Sequence, residues 1–222
     1  MKVNFEGGKS VEAATPSLRD RKKAETRERI ACAAVDLLVN EGAENATIAK
    51  IAERADISPR TFHNYFPHRD AALLFTLNQF VEEMVGMVDT AQPGQQLISI
   101  GENIAVDFFN RTTGSPNSIQ TLSRLADHLL SIPAQARTEL FTENDGLPRN
   151  AVEFFSPLVQ AFQQYSEREG QALNTAHALL LINSIMVVPT VFVELNEGGE
   201  CATEEEIRGA FQLLAGGLSQ LG

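Results

Sequence analysis

The sequence predicts an all-α protein in two parts, a short N-terminal helical unit and a longer helical C-terminal one. Three observations lead there. From residue 19 onward apolar residues recur at spacings of three, four and seven. No run alternates apolar and polar residues for long enough to make a sheet, and Gly, Pro, Asn and Asp punctuate the periodic stretches at helix-length intervals. Charge divides the chain at a similar place. The net charge is −11, yet residues 1–70 hold 12 Lys and Arg against 11 Asp and Glu, whereas residues 71–222 hold 6 against 18, with no lysine beyond Lys50. An acidic protein repels a phosphate backbone, so the total taken alone argues against nucleic acid. The division reverses that inference, because the near-neutral N-terminal part can approach a polyanion while the acidic remainder stays soluble.

The 222 residues, 43% of them hydrophobic, suffice for a core without staples. Cys32 and Cys201 are far apart and form no C-x-x-C pair, which gives no support to a disulfide framework or a structural zinc. The opening MKVNFEGGKS has no apolar h-region, so a cytoplasmic location is expected. The most apolar stretch, Ala178 to Val193, is interrupted by Asn183, Ser184 and Pro189 and falls short of the ~20 residues of a membrane span; it is expected to be a buried helix, with no membrane partner.

Residues 1–18, with Gly7, Gly8, Ser10, Pro16 and Ser17, read as a flexible tail. From Arg19 a helix is expected with Ile30, Ala33, Ala34, Leu37 and Leu38 on one face and Gly42 as its stop. Thr47 is placed to cap a helix through Arg54, in which Ile48, Ile51, Ala52 and Ala55 repeat at helical spacing. Asp56 and Ile57 turn the chain, and Ser58 caps a second short helix with Pro59 in its first turn, running to about Phe66 before Pro67. A long helix from Arg69 to about Asp89 carries Leu73, Leu77, Phe80, Val81, Met84, Val85 and Val88. Further helices are expected over roughly 95–112, 117–131, 149–169, 174–195 and 204–219, the last opened by a capping box of Thr203 and Glu206.

A short helix, a tight turn and a second helix opened by Ser-Pro make a helix-turn-helix pattern, in which the second helix enters the major groove. Phe62 and Phe66, at i and i+4, are expected to plug into the core, leaving Arg60, Thr61, His63 and Asn64 on the outward arc. Arg and Asn can bond guanine and adenine edges in bidentate fashion, and a Thr methyl can touch the thymine methyl. Thr47, Lys50, Ser58, Pro59, Tyr65 and Arg69 complete the expected DNA-facing set, the first with its helix N–H groups and Tyr65 suited to phosphates. Arg19, Arg21, Lys22 and Lys23 form a basic segment that is either an arm along the groove or a solvated helix start.

The run T-I-A-K-I-A-E-R-A-D-I-S-P-R-T-F-H-N-Y-F, Thr47 to Phe66, resembles the DNA-binding signature of TetR-type repressors. The flanking R-E-R-I-A-C-A-A-V-D-L-L-V-N-E-G and P-H-R-D-A-A-L-L extend the likeness over Arg27 to Leu74. It departs slightly, since the family often has Lys where Arg69 stands and a small polar residue at His68. The resemblance implies an N-terminal three-helix helix-turn-helix DNA-binding domain at 19–68. It also implies a C-terminal helical effector-binding and dimerisation domain at 69–222, and a homodimer on a double-stranded DNA operator, released by an unidentified small-molecule effector. It further implies that basic segments like the one at Arg21 and Lys22 can lie in the minor groove.

The C-terminal part is rich in Phe, and Met84, Phe108, Phe109, Arg124, His128 and Phe155 are the expected pocket lining, although such a stripe equally suits a core. The acidic excess fits a cationic effector or plain solubility. Apolar stripes on the last two helices, with Leu180, Val187 and Val191 on one and Ile207, Phe211, Leu214 and Leu218 on the other, are expected to form the dimer interface.

Gly8-Lys9-Ser10 lacks the first glycine of a phosphate-binding loop, and the Asn45 and Asn110 triplets carry no weight without a signal peptide. The four histidines show no metal spacing and no G-x-S-x-G elbow is present, so no metal, cofactor or catalysis is expected. Two other readings remain: a DNA-anchored protein whose helical body binds a protein partner, and a helical enzyme with an incidental helix-turn-helix.

Overall fold

The computed structural model describes residues 17–111, 118–132, 151–196 and 203–216, and regular structure among them is helical throughout. In order these are α1 (Leu18–Glu41), α2 (Ile48–Arg54), α3 (Pro59–His63), α4 (Arg69–Asp89), α5 (Leu97–Phe109), α6 (Ile119–Ser131), α7 (Ala151–Phe154), α8 (Ser156–Arg168), α9 (Thr175–Asn196) and α10 (Glu204–Gly216). The expected tail lies outside the described residues as far as residue 16. Its last two residues are structured: Ser17 caps α1 by accepting from the Asp20 N–H at 3.2 Å, and its hydroxyl donates back to the Asp20 carboxylate at 2.6 Å.

Long helices α1 and α4 pack together, and α4 runs on into the C-terminal body against α8 and α5. Its buried stripe, Ala72, Leu73, Leu77, Phe80, Val81, Met84 and Val88, belongs to one continuous apolar cluster that reaches from Ile30 and Phe62 to Phe162 and Phe211. Reading unit and body therefore share a core. Helix α9 packs closely on α5, where a Cβ added to Gly101 would lie 2.8 Å from Leu181 Cδ1. A larger residue there would require the Leu181 side chain to shift.

Two boundaries differ from expectation. The helix expected over 149–169 breaks at Phe155, because Pro157 lacks the N–H and clashes with the preceding turn; Ser156 Oγ takes up the Glu153 carbonyl at 2.7 Å. The apolar segment expected to be too short for a membrane belongs to a 22-residue helix, α9, and Thr175–Glu194 is long and apolar enough to cross one by length and composition. The length argument therefore fails. Ala178, Ile182 and Ile185 of that helix are instead buried against the body. The Thr203–Glu206 capping box forms as expected, with Thr203 N–H donating to the Glu206 carboxylate at 2.8 Å and Glu206 N–H to the Thr203 hydroxyl at 3.3 Å.

Candidate nucleic-acid interface

The reading unit is assembled by two caps and a sharp turn. Thr47 accepts from the Lys50 N–H at 3.3 Å to start α2, and Ser58 accepts from the Thr61 N–H at 3.1 Å to start α3. Between them Asp56 sits at φ +52°, a left-handed conformation that Asp tolerates better than most residues, and this reverses the chain within three residues. Ala52 and Ala55 are fully buried, so α2 and α3 can approach closely. Phe62 and Phe66 are buried behind α3, as their spacing requires, with ring centroids 6.0 Å apart; Phe66 continues edge-on to Phe75 of α4 at 5.8 Å.

Helix α1 braces this unit with three arginine contacts that periodicity could not specify. The Arg27 guanidinium lies 5.1 Å from the Phe66 ring centre and 4.7 Å from that of Phe75. Arg29 Nε donates to the Ala55 carbonyl at the end of α2 at 3.0 Å. Arg54 of α2 returns to α1 in ion pairs with Asp36 and Glu41. Basic residues on α1 signalled solvent in the sequence, yet two of them hold α2 and α3 in place.

With Phe62 and Phe66 turned inward, Arg60, His63 and Asn64 are exposed, Thr61 and Tyr65 half-buried, and Ser58, Pro59, Thr47 and Lys50 exposed along the same two-helix unit. Helix α3 is shorter than expected: it ends at His63, and the chain remains wound only as a turn, with the Phe66 N–H still donating to the Phe62 carbonyl at 3.0 Å. The Lys50 ammonium contacts Glu41 at 3.3 Å and Asn45 Oδ1 at 2.8 Å, so it must exchange partners to meet a phosphate. Arg21 and Lys22 are exposed in the first turns of α1.

Arg69 stands elsewhere. Expected to face DNA, it is half-buried, with Nη1 donating to the Ala43 carbonyl at 2.7 Å and Nε to Asp70 at 3.1 Å. It binds the loop after α1 to the start of α4. His128 Nε2 lies 3.2 Å from Asp70 Oδ1 and 3.4 Å from Arg69 Nη2, which ties α6 to the same point. His68 caps α4, its Nδ1 accepting from the Ala71 N–H at 3.1 Å. A basic or imidazole side chain at a domain junction reads like a phosphate ligand when only the sequence is known.

The pocket expectation does not hold together. Met84 and Phe108 are fully buried core residues, Phe108 stacking on Phe80 at 5.3 Å under the Arg111 guanidinium at 4.0 Å. Phe109 is half-buried, Phe155 packs edge-on against Phe154, and His128 is engaged at the junction. Of the six, Arg124 lines a cleft, which lies where α1, α6 and α9 meet rather than inside the C-terminal body. Phe at helical spacing here fills the core.

The expected dimer residues separate into two sets. Ile207 and Phe211 are fully buried in the chain's own core against α5, because the α10 stripe that looked free already has a partner. Leu180, Val187, Val191 and Leu214 are exposed, at 66%, 55%, 45% and 45%, which is unusual for residues of this size. Leu218 lies outside the described residues. Cys32 is a free thiol; burial pushes its pKa up and nearby Glu28 adds to the shift, so it is not activated as a nucleophile.

A tight two-helix unit that hides its aromatic residues and presents Arg, His and Asn, carried on a helical body, defines a DNA-binding regulator of the helix-turn-helix class. The pattern of bacterial regulatory proteins of the tetR family matches residues 30–74, from the second half of α1 into α4. Those residues carry a helix-turn-helix of the type found in tetR-family regulatory proteins. Over 80 residues the chain is 29% identical to the HTH-type transcriptional regulator TcmR of Streptomyces glaucescens, a match spanning 36% of this chain and only 35% of that protein. The whole fold resembles that of Salmonella enterica GusR, with a TM-score of 0.57 at 16% identity over 83% of this chain and 87% of that one. It also resembles FadR of Bacillus subtilis, solved in complex with stearoyl-CoA, with a TM-score of 0.53 at 18% identity over 84% and 96% of the two chains.

Proposed function

We propose that this chain is a ligand-responsive repressor that binds a pseudopalindromic operator as a homodimer and is released by a small-molecule effector. The observation that carries the reading is the inside-out division of α3, with Phe62 and Phe66 buried and Arg60, His63 and Asn64 exposed. Arg60, Thr61, His63 and Asn64 face base edges; Thr47, Lys50, Ser58, Pro59 and Tyr65 face phosphates; Arg21 and Lys22 add attraction from the start of α1. Arg69 is left out, as its donors serve the domain junction.

Leu180, Val187 and Val191 of α9 with Leu214 of α10 supply the face on which two copies pair. A twofold pair presents two reading helices to successive major grooves, which is why a palindromic site is expected. A TetR-type regulator acts inside the cell, and the cytoplasm is the proposed location. The stearoyl-CoA in the FadR complex supports an effector role for a body of the same fold, with an effector of its own.

Selection from a random duplex library tests the reading. Bound sequences are expected to converge on two inverted half-sites about one helical turn, ~10 base pairs, or a small multiple of it apart. Convergence on a single asymmetric site, or no enrichment, would contradict it.

A further inference from the structure

Helix α1 runs well past the core it serves. Its first buried residue is Ile30, and Leu18–Arg29, ~18 Å of helix at ~1.5 Å per residue, is exposed except for half-buried Thr26. These free turns pass the start of the reading helix. Lys50 and Arg54 of α2 pair with Glu41 and Asp36 of α1, and the Ala55 carbonyl that ends α2 meets Arg29, so α2 descends along α1 towards its N-terminal end. The chain then enters α3 through Ser58, beside the projecting turns. Arg27, over the Phe66 and Phe75 rings, fixes the same stretch of α1 to the far end of α3.

Charge is sorted around the projecting turns. Arg19, Lys22, Lys23 and Thr26 fall at i, i+3, i+4 and i+7, and the same repeat continues through Ile30, Ala33, Ala34 and Leu37, the stripe that α1 buries. The side of α1 turned to the reading unit therefore changes from apolar to cationic where the core ends. Glu25 and Glu28 lie on the opposite side with Arg21, and Asp20 is engaged by Ser17. Among the described residues, no side chain of Arg19, Lys22 and Lys23 has an ion-pair or hydrogen-bond partner. Three cations in a row, in a chain of net charge −11, complement an extended anionic surface. The phosphate backbone of a duplex seated on α3 is such a surface, and it is continuous with the exposed face of that helix.

The helical state of the segment decides how such a contact is made. An α-helix with its side chains is ~10–12 Å across and a minor groove ~6 Å wide, so these turns do not lie in the minor groove, as the resemblance allowed, but meet phosphates from outside. We propose that Arg19, Lys22 and Lys23 form a phosphate clamp on the duplex beside the major groove that α3 enters, adding affinity without adding base preference. The clamp rests on the DNA-binding reading above, and it concentrates on one stripe the attraction assigned there to the start of α1.

The test compares operator affinity against salt for the full chain and for an Arg19→Gln, Lys22→Gln, Lys23→Gln variant. A second variant, Gln160→Glu, Gln171→Glu, Ala172→Glu, lowers the net charge by the same amount at exposed positions on α8 and just after it. The first variant is expected to keep the wild-type circular dichroism and to lose roughly 10–100-fold in affinity at ~0.15 M salt. Its log–log salt slope should be shallower by about 2–3, since each phosphate contact contributes ~0.9. Duplex selection should return the wild-type motif at every position. The second variant should keep the wild-type slope. Should the triple variant lose helix, Lys22→Gln, Lys23→Gln alone is expected to flatten the slope by about 2. An unchanged slope in the clamp variants, an equal fall in the second variant, or an altered motif overturns the clamp and leaves the regulator reading standing. A wild-type chain that selects no duplex overturns that reading, and the clamp with it.

Discussion

Phe62→Ala is expected to destabilise the protein by about 3–5 kcal/mol and to abolish operator binding at ordinary temperatures. Phe62 is fully buried in the shared core, on the helix that packs against α2, and its ring contacts Phe66 and the edge of His63. Removing it loses the transfer energy of the ring and leaves a cavity that five-residue α3 is too short to close. A loss of that size takes a large share of the ~5–15 kcal/mol by which domains of this size are stable. Phe62→Leu, which refills most of the volume, should cost much less. Denaturant midpoints of the three proteins check this. A Phe62→Ala loss below ~1 kcal/mol would mean the residue is not the support on which α3 rests.

If two copies pair as proposed, the paired substitution Val187→Asp, Val191→Asp is expected to give a folded monomer with operator affinity reduced by roughly 10²–10⁴-fold, the gain that linking two half-site contacts ordinarily brings. The two valines lie seven and eleven residues after Leu180, on the face of α9 that the chain itself leaves open. Two aspartates on each copy place like charges across a desolvated contact, at a cost no rearrangement of the neighbouring side chains relieves. Since both positions are exposed in the single chain, the helix content and the core should be unaffected. Substituting Ile207 or Phe211 should instead unfold α10, because those side chains belong to the chain's own core. Sedimentation with circular dichroism separates the two outcomes: a variant that remains dimeric, or a monomer that binds the operator as well as wild type, would place the interface elsewhere.

The contrast between α3 and α10 shows what periodicity can and cannot reveal. Around α3 an i, i+4 pair of phenylalanines, a Ser-Pro start and two buried alanines all lie between Ala52 and Phe66, so the inward and outward faces were legible in the chain. At α10 the stripe Ile207, Phe211, Leu214, Leu218 is visible in the sequence, but that Ile207 and Phe211 are buried against α5 while Leu214 stays exposed depends on residues a hundred positions away. The same limit explains Arg69 and His128. Their charge and imidazole chemistry suited DNA or a ligand equally well, and only the folded junction, which brings the loop after α1 and helix α6 to the start of α4, gives them the Ala43 carbonyl and Asp70 as partners. Met84 and Phe108 were misplaced for a related reason, since an aromatic or thioether side chain on a helix face is the same feature whether a pocket or a core lies opposite. Caps were the most readable elements, because Ser17 apart they need only a residue type and its distance along the chain: Thr47, Ser58 and the Thr203–Glu206 pair all cap as spaced.

The most direct test of α3 as the reading helix is to repeat the duplex selection with Arg60→Ala. An exposed arginine bonded to a guanine edge should, once removed, weaken binding by about 1–3 kcal/mol and flatten the base preference at one symmetric position in each half-site, leaving the rest of the motif intact. A motif unchanged at every position, with affinity equal to wild type, would contradict the account, since Arg60 would then face solvent rather than a base.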